Sequence, residues 1–358
     1  MASIERTAYP RFKRALTRHE LQTLYTPTAD EQTFIEQQTQ TDSLRLSMLV
    51  LLKTFQHLGY FPRLDKVPAA VVDHVRQALH LPTSVPIGYD HARTLYRHHA
   101  TIRSYLKVTA YGKQARHVAV VAVYQAAQVM NHPADLINVA LAELIRQRYE
   151  LPAFSTLDHL VQRIRTLVNQ RVFQQVLASL SPDEQQVLEQ LLTVKPPQRR
   201  SDFSRLKDPP PRATLTHLAE WQRRLTWLLA LSEVDHHLKG IPHAKVKHFA
   251  AEARALDADG LRDMIRPKRL TLLLCLIHHM RVTTRDQLVT MFLKRMSTLH
   301  TRGKDELQAL RERQRATTEQ LLTVFKDVLH TTEAAGYDAT VGRQIRTLLH
   351  DSGGVDSL

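Results

Sequence analysis

A basic segment between His91 and Val108, HARTLYRHHATIRSYLKV, holds the side chains with the clearest capacity for chemistry in this sequence. Wound as a helix at about 100° per residue, it carries one narrow apolar stripe, formed by Leu95, Ile102 and Leu106. Cationic groups gather mostly away from that stripe, with one imidazole at its edge: Arg93, Arg97, Arg103, Lys107 and His99. The segment has no acidic residue, and an anionic partner would offset the repulsion between like charges one helical turn apart. Two interpretations stay open, a solvated face on a core-packed helix and a surface for a polyanion.

The whole chain is strongly basic. Among its 358 residues, Lys and Arg number 49 against 35 Asp and Glu, which gives a formal net charge of +14 and a pI near 10.0. The 20 histidines would add positive charge in acidic surroundings. Such an excess favours nucleic acid or another anionic surface as the partner, without choosing between DNA and RNA.

Further basic clusters lie outside the central segment. Arginine predominates in them, and its planar fork suits phosphates and guanine edges. Aromatic residues among the clusters are few, which argues against a platform for single strands and for a duplex ligand. The clusters contain Arg11, Lys13 and Arg14 near the N-terminus, then Lys113 and Arg116, and finally Arg199, Arg200, Arg205 and Lys207 in a proline-rich stretch.

Common catalytic motifs are missing from the sequence, which has no P-loop, no Rossmann glycine fingerprint, no zincin helix and no nucleophile elbow. Asp235, His237 and His243 would converge on a metal only across a turn, and a solvated or hydrogen-bonded cluster is the simpler interpretation. The carboxylates are scattered among predicted helices, whereas two-metal catalysis needs them to converge. We expect no catalytic centre, no cofactor and no metal in this chain.

Cysteine usage and apolar runs indicate the compartment. The one cysteine, Cys275, lies in the apolar run LTLLLCLIHHM, so we expect a buried, inert thiol and no intrachain disulfide. The N-terminus lacks the apolar region of a signal peptide, and the longest apolar runs are too short to span a bilayer. These features predict a cytoplasmic protein without a membrane segment.

Apolar residues recur at helical spacing almost throughout, which predicts an all-α, multi-helix fold. In the first part, Asp90 is the expected N-cap of the basic helix, and Ser155 with Asp158 resembles a capping box. The expected helices there are Thr17–Tyr25, Ser43–Leu58 ended by Gly59, Pro68–His80, His91–Val108, Gln114–Met130, Pro133–Tyr149, one starting at Ser155, and one from Ser181 to Leu192.

A basic, proline-rich segment at 193–213 predicts an extended linker, either merely solvated or lying along a phosphate backbone. It divides the chain into an N-terminal helical DNA-binding region at 1–192, the linker, a second helical module at 214–300, and a long helix with tail at 301–358. The helices expected after the linker are Thr214–Leu231 with Trp221 and Trp227 in the core, Pro242–Arg254, Asp259–Ile265, Pro267–Met296 as one helix or two broken near Thr283, and Lys304–Leu329 before a disordered tail, DSGGVDSL.

Several segments together resemble one protein family. LTRHELQTLYTPTADEQTFI, LRLSMLVLLKTFQHLGYFP and RTLYRHHATIRSYLKV look like the N-terminal region of the large transposases of replicative class II transposons, the Tn-three family. LPAFSTLDHLVQRIRTLVNQRVF and SRLKDPPPRATLTHLAEWQRRLTWLLAL resemble the same proteins. The resemblance runs from about Thr17 to about Met296 in the family's order, and its specificity lies in the number and order of the segments.

The resemblance implies a helical region that binds the terminal inverted repeats of a transposon. In the family, the catalytic acidic triad lies far downstream on a ribonuclease-H-like core, and this chain ends at Leu358, before such a core would begin. The expectation is therefore a truncated chain that recognises ends without strand transfer. The resemblance also implies two further candidate partners, which are a full-length transposase and a second copy of this chain.

The combined prediction is binding of double-stranded DNA by the basic helix. Arg97 and Arg103 are the expected base contacts because they are central, and Lys107 is the expected phosphate contact. The rival prediction is a helical protein-interaction scaffold whose basic face docks an acidic partner, and exposed apolar grooves would favour it. RNA binding fits the charge but has no RNA motif to support it.

Overall fold

The computed structural model describes residues 3–194, 196–197, 199–231, 233–333 and 338–351. Within these residues the regular secondary structure is helical, without a β-strand, and an isolated parallel bridge joins Thr109 to Tyr149. The prediction of an all-α fold is confirmed. The tail expected to be disordered, 351–358, starts at Asp351, which is the last residue of a described helix, and its other residues lie outside the described residues.

Sixteen α-helices follow one another in the described part of the chain. The first eight are α1 Arg18–Glu20, which continues as a π-helical turn at Leu21–Tyr25, α2 Ala29–Gln38, α3 Asp42–Leu58, α4 Ala69–Ala78, α5 Ala92–Leu106, α6 Lys113–Val129, α7 Pro133–Arg146 and α8 Phe154–Ser179. The others are α9 Pro182–Gln190, α10 Asp202–Leu206, α11 Leu215–Ala230, α12 Val234–His237, α13 His243–Ala255, α14 Ala258–Arg262, α15 Arg266–Glu333 and α16 Asp338–Asp351.

The chain folds as two compact units. One unit comprises Met1–Lys207 with Leu231–His279, and the other comprises Asp208–Ala230 with Met280–Leu358. The four-part division predicted from the sequence stays a prediction. No helix in the described residues combines the length and apolarity needed to cross a bilayer.

The first core of the larger unit forms around α3. Every residue from Leu46 to Phe55 is buried, so this helix is enclosed on all sides, as its nearly continuous apolar sequence requires. Thr41 caps its N-terminus, and Gly59 ends it in the left-handed conformation with φ 72°. Helices α2, α4 and α5 pack against α3. They contribute Ile35, Val71, Val75 and Ile102 to the core.

One buried ion pair lies in this core. The Lys53 ammonium is 3.2 Å from the Glu31 carboxylate, which also accepts hydrogen bonds from the Gln56 amide at 2.6 Å and the Thr28 N–H at 2.8 Å. Burial alone would raise the pKa of Glu31, but these hydrogen bonds and the Lys53 charge outweigh it and hold the pKa below its usual value. The carboxylate therefore stays ionised beside its cation.

A second core in the same unit is formed by α6, α7 and α8. Small side chains spaced by four residues line the inner face of α6, which lets α7 and α8 approach closely. The buried residues are Ala115, Ala119, Val123 and Ala127 from α6, and Leu136, Ile137, Ala140, Leu141 and Leu144 from α7.

Hydrogen bonds join the two cores beside the end of α3. The Leu151 N–H donates to the Gly59 carbonyl at 2.8 Å, and the Tyr9 hydroxyl donates to the Pro152 carbonyl at 2.8 Å. The Glu150 N–H donates to the carbonyl of Thr109 at 2.8 Å. The segment after α7 is thereby held against both the end of α3 and the residues that follow α5.

The smaller unit is built on α11 and the part of α15 beyond His279. The Trp221 indole donates to the Gln287 side chain at 2.9 Å, and the Arg281 guanidinium donates to the Leu228 carbonyl at 3.0 and 2.8 Å. Trp221 is buried as expected, whereas Trp227 is only half-buried, so the expectation of two core tryptophans holds for one of them.

The long helix differs from its sequence prediction. Of the two alternatives predicted for Pro267–Met296, the single helix is the one observed, but the segment expected as a separate helix, Lys304–Leu329, belongs to the same 68-residue helix. Apolar side chains on it remain exposed beyond the contact with α11: Phe292, Leu293, Met296, Leu307, Leu310 and Phe325.

Two predicted caps are wrong. The basic helix starts at Ala92 with His91 as its N-cap, so Asp90 lies one residue too early to reach the free N–H groups. The helix expected to start at Ser155 begins at Phe154, because that side chain packs on the second core and draws the first turn forward. Ser181, where the sequence predicted a helix start, is the N-cap of α9 and forms a capping box with Glu184.

The proline-rich segment is not extended throughout. Asp202–Leu206 forms a short helix whose Phe203 and Leu206 are fully buried, since both apolar side chains gain more by packing than an extended strand would allow. Lys195, another basic residue of the 193–213 segment, lies outside the described residues.

Gly59 and Gly303 provide a matched test of the fold. An alanine at Gly59 would adopt φ 72° with its Cβ 3.1 Å from Leu151 Cδ1, so we expect Gly59→Ala to destabilise the protein by about 1–2 kcal/mol. Gly303 lies inside α15, and a methyl group added there would meet no atom within 4 Å, so Gly303→Ala should stabilise its unit by about 1 kcal/mol. Urea unfolding followed by circular dichroism measures both. Equal effects of the two substitutions would contradict this account of the turn at Gly59.

Candidate nucleic-acid interface

Helix α5 packs on the first core through the stripe predicted from the sequence. Ile102 is fully buried, and Leu95 and Leu106 are half-buried against the same cluster. His98 is also buried, with its Nδ1 atom 2.9 Å from the Tyr89 hydroxyl. These contacts fix which side of α5 faces solvent.

The solvent side of α5 carries cations that have no carboxylate partner. Arg93, Arg97 and Lys107 are exposed, and no ion pair joins any of them to a described residue. Lys107 ends the helix in the left-handed conformation with φ 55°. The sequence prediction that these three side chains lie away from the apolar stripe agrees with their exposure, while their role as DNA contacts stays a prediction.

Small and aromatic residues complete this side of the helix. Ala100 and Ser104 are exposed between the cations, and Tyr96 is 67% exposed. A helix side with small central residues can approach a partner closely, and a flanking tyrosine can contact its sugar or base edges. These three residues had no predicted role, although their spacing from Arg93 and Arg97 was sufficient to place them on the same side.

Arg103 faces the protein instead of joining the exposed cations. Its guanidinium is 3.0 Å from the Glu150 carboxylate and lies over the Phe61 ring, 5.6 Å from the ring centroid. The two paired side chains are only 23% and 18% exposed. Arg103 therefore links α5 to the segment after α7, a contact that no local sequence pattern indicates.

His99 is stacked on the core and is not a surface cation. Its ring lies parallel to the Phe61 ring, with the centroids 3.8 Å apart. Burial, together with the nearby Arg103 and His98 charges, lowers the pKa of His99 to about 4. The imidazole is neutral at physiological pH, so any contribution to DNA binding would come from packing or a hydrogen bond.

Some of the remaining predicted residues form ion pairs with acidic side chains, and others do not form one with a described residue. Lys113, Arg116 and Arg14 are exposed without an ion pair to a described residue. Arg11 is 3.8 Å from Glu5, and Lys13 pairs with Glu20. The N-terminal cluster is therefore partly neutralised by its own acids.

The proline-rich cluster is largely engaged in local contacts. Arg200 donates to the Ser204 carbonyl at 3.1 Å, and Arg205 is 3.4 Å from Asp202. Lys207 lies over the Phe203 ring at 4.0 Å and donates to the Leu256 carbonyl, and burial lowers its pKa. Arg199 is exposed. The short helix at Asp202–Leu206 is the reason, since it turns these side chains back onto the protein.

The residues considered for a metal lie in separate contacts. Asp235 is 2.9 Å from His278, and His237 is 2.9 Å from Glu184 and 3.1 Å from the Ser179 hydroxyl. No group of three or more His, Cys, Asp or Glu side chains in the described residues has an arrangement suited to a metal ion.

Comparisons with known proteins point in one direction. Residues 1–164, which include α5 and most of both cores, match the family described as "Domain of unknown function (DUF4158)". The transposase for transposon Tn2501 of Escherichia coli is 22% identical over 296 residues, which cover 81% of this chain and 30% of that protein. The transposase for transposon gamma-delta of Escherichia coli strain K12 is 24% identical over 250 residues, 68% of this chain and 25% of that protein.

The chain is similar to the N-terminal part of Tn-three family transposases. A third relative, the transposase for transposon Tn1546 of Enterococcus faecium, is 22% identical over 170 residues, 46% of this chain and 17% of that protein. The resemblance predicted from the sequence is confirmed. The matched segments span less than a third of the length of each of these relatives.

The neutral state of His99 predicts a specific pH dependence. The unfolded chain protonates this histidine near its ordinary pKa of about 6.5, whereas the folded chain does so only near 4, so the unfolded state binds more protons in between. The free energy of unfolding should therefore fall as the pH drops through this interval. The substitution His99→Phe keeps the stack on Phe61 and should remove the part of this loss that comes from His99. The measurement is urea unfolding of both proteins between about pH 7 and about pH 5. If the two proteins lose equal stability, His99 titrates normally in the fold.

Proposed function

We propose that this chain binds double-stranded DNA through the solvent side of α5 and that its target is the terminal inverted repeat of a transposon. The observation that carries the proposal is the set of exposed, unneutralised cations on one side of a helix, within the region that matches transposases. Similarity to transposases supports a transposase-related role. That the target is DNA at the transposon ends goes beyond this similarity and is proposed from the exposed cations.

The arrangement of α5 suits a major groove. Arg93 and Arg97 are one helical turn apart, and Ala100 continues the same side without a bulky side chain to hold the helix away. Arg97 is the better base contact, since Arg103 is held by Glu150. Lys107, at the end of the helix, is placed for a phosphate.

Lys113 and Arg116 extend the positive charge beyond α5. They lie in the first turn of α6, a few residues after Lys107, and are exposed. Contacts of this kind with phosphates add affinity without sequence preference. A DNA ligand also accords with the cytoplasmic location expected from the sequence. Recognition of ends is the part of transposase function that the described residues support, and strand transfer is not part of the proposal.

The rival function is a protein-interaction scaffold, and one observation favours it. Several large apolar side chains on α15 are exposed, among them Phe292 at 55% and Leu293 at 60%. Exposed apolar side chains on one helix are typical of protein contacts. This observation concerns the smaller unit, whereas the cations of α5 belong to the larger one.

DNA binding is tested by gel shift on a terminal-repeat duplex and on a scrambled duplex, across a salt series. Contacts with about six to ten phosphates predict a steep loss of affinity between low and moderate salt. Arg97→Ala should cost about 1–3 kcal/mol and reduce the preference for the repeat. Arg163→Ala, an exposed arginine on α8, is the matched control and should bind as the unchanged protein does.

Two results would contradict the proposal. One is a flat salt response, which would mean that phosphate neutralisation does not drive binding. The other is equal binding to both duplexes by the unchanged protein and by Arg97→Ala. Either result, together with retention of an acidic protein ligand by the α5 surface, would place the scaffold function ahead.

A further inference from the structure

A cationic groove lies between α8 and α13, away from the residues discussed for DNA. Its volume is about 470 Å³, and its walls come from residues spaced three or four apart on both helices. Asn131, Ile265 and Lys268 complete its lining. The polar residues of the lining include Asn131, Arg165, Asn169, His248, Glu252 and Lys268.

A buried ammonium organises this wall. Lys245 is fully buried, and its Nζ atom is 2.7 Å from Asn169 Oδ1 and 3.4 Å from Asn131 Oδ1. An ammonium only donates hydrogen bonds, so each asparagine must turn its oxygen toward Lys245. The NH₂ group of each amide is then left to donate elsewhere, and both asparagines line the groove.

Positive charge in the groove exceeds negative charge. Arg165 and Lys268 line the groove, and Lys245 contacts two of its asparagines, whereas the carboxylate in the lining, Glu252, is already 2.7 Å from Lys268. The Arg165 guanidinium donates through Nη2 to Gln162 Oε1 at 3.1 Å, while its Nε atom is buried and has no hydrogen-bond partner among the described residues. Burial lowers the pKa of Lys245 to about 8, and the Arg165 charge contributes to that shift. A buried cation without an anion is costly, and a bound anion would offset that cost.

Two aromatic rings adjoin the cationic wall. Phe173 and Phe249 line the groove at its floor, where they are 6% and 1% exposed, with ring centroids 5.3 Å apart. Donors beside aromatic rings suit a ligand that carries an anion next to a flat or apolar group. A groove of this volume accommodates a single nucleotide.

We propose that this groove binds the phosphate monoester of a nucleotide, with the asparagine amides and Arg165 donating to the phosphate and the phenylalanines contacting the rest. The phosphate would come either from a free nucleotide or from the 5′-phosphorylated end of a DNA strand. The proposal does not rest on DNA binding by α5, because the first test contains no DNA.

The test is isothermal titration calorimetry of the whole chain with deoxythymidine monophosphate, with inorganic phosphate and with uncharged thymidine. We expect saturable binding of the monophosphate in the millimolar range or tighter and no binding of thymidine. Arg165→Gln and Asn169→Asp should each weaken it by about tenfold or more, since the first removes a charge-assisted donor and the second replaces an amide donor by a repelling carboxylate. Arg163→Gln on the same helix, which does not line the groove, should leave it unchanged.

The source of the phosphate is distinguished by competition in an Arg97→Ala background. Displacement of the monophosphate by a 5′-phosphorylated duplex, but not by the same duplex with a 5′-hydroxyl, assigns the site to a DNA end. Displacement by neither duplex assigns it to a free nucleotide. Absence of saturable binding, binding of thymidine equal to that of the monophosphate, or wild-type affinity in folded Arg165→Gln and Asn169→Asp proteins would overturn the proposal.

Discussion

The rotation of α5 about its own axis is the constraint on which the candidate DNA surface depends. Ile102 holds one side of the helix in the core, and the Arg103–Glu150 ion pair holds an adjacent side against the segment after α7. With these two contacts in place, the advance of about 100° per residue leaves Arg93 and Arg97 in solvent. If α5 could rotate freely, no fixed set of cations would face solvent. Its arginines would then add positive charge to the surface without forming a defined recognition surface.

Energetic magnitudes assign Arg103 and Arg97 different roles. Removing one partner from a buried ion pair costs about 3–5 kcal/mol, and the Arg103–Glu150 pair is about four-fifths buried, so most of that cost applies. A good bidentate contact with a base supplies about 1–3 kcal/mol. Arg103 therefore gains more by staying with Glu150, where it holds α5 in position. Arg97 has no such competing partner among the described residues and is available to a ligand.

Local periodicity was sufficient to predict the helices and the buried stripe of α5, because both follow from residues three and four apart. Such patterns could not predict contacts between residues that are far apart in sequence. Glu150, which neutralises Arg103, is 47 residues away in sequence, and the stack of His99 on Phe61 depends on how α5 meets the end of α3. The prediction of an extended segment was wrong at Phe203 for the same reason. The tertiary fold, and not the neighbouring prolines, determines that Phe203 is buried.

Site-specific cross-linking would show whether the solvent side of α5 lies against DNA, as proposed. Cys275 is the only cysteine in the sequence and is buried, so a cysteine introduced at the exposed Ala100 can carry a photoreactive group alone. We expect cross-links from Ala100→Cys to a terminal-repeat duplex and none from Ala178→Cys, a substitution of an exposed alanine on α8. Cross-links from position 178 without any from position 100 would contradict the proposal.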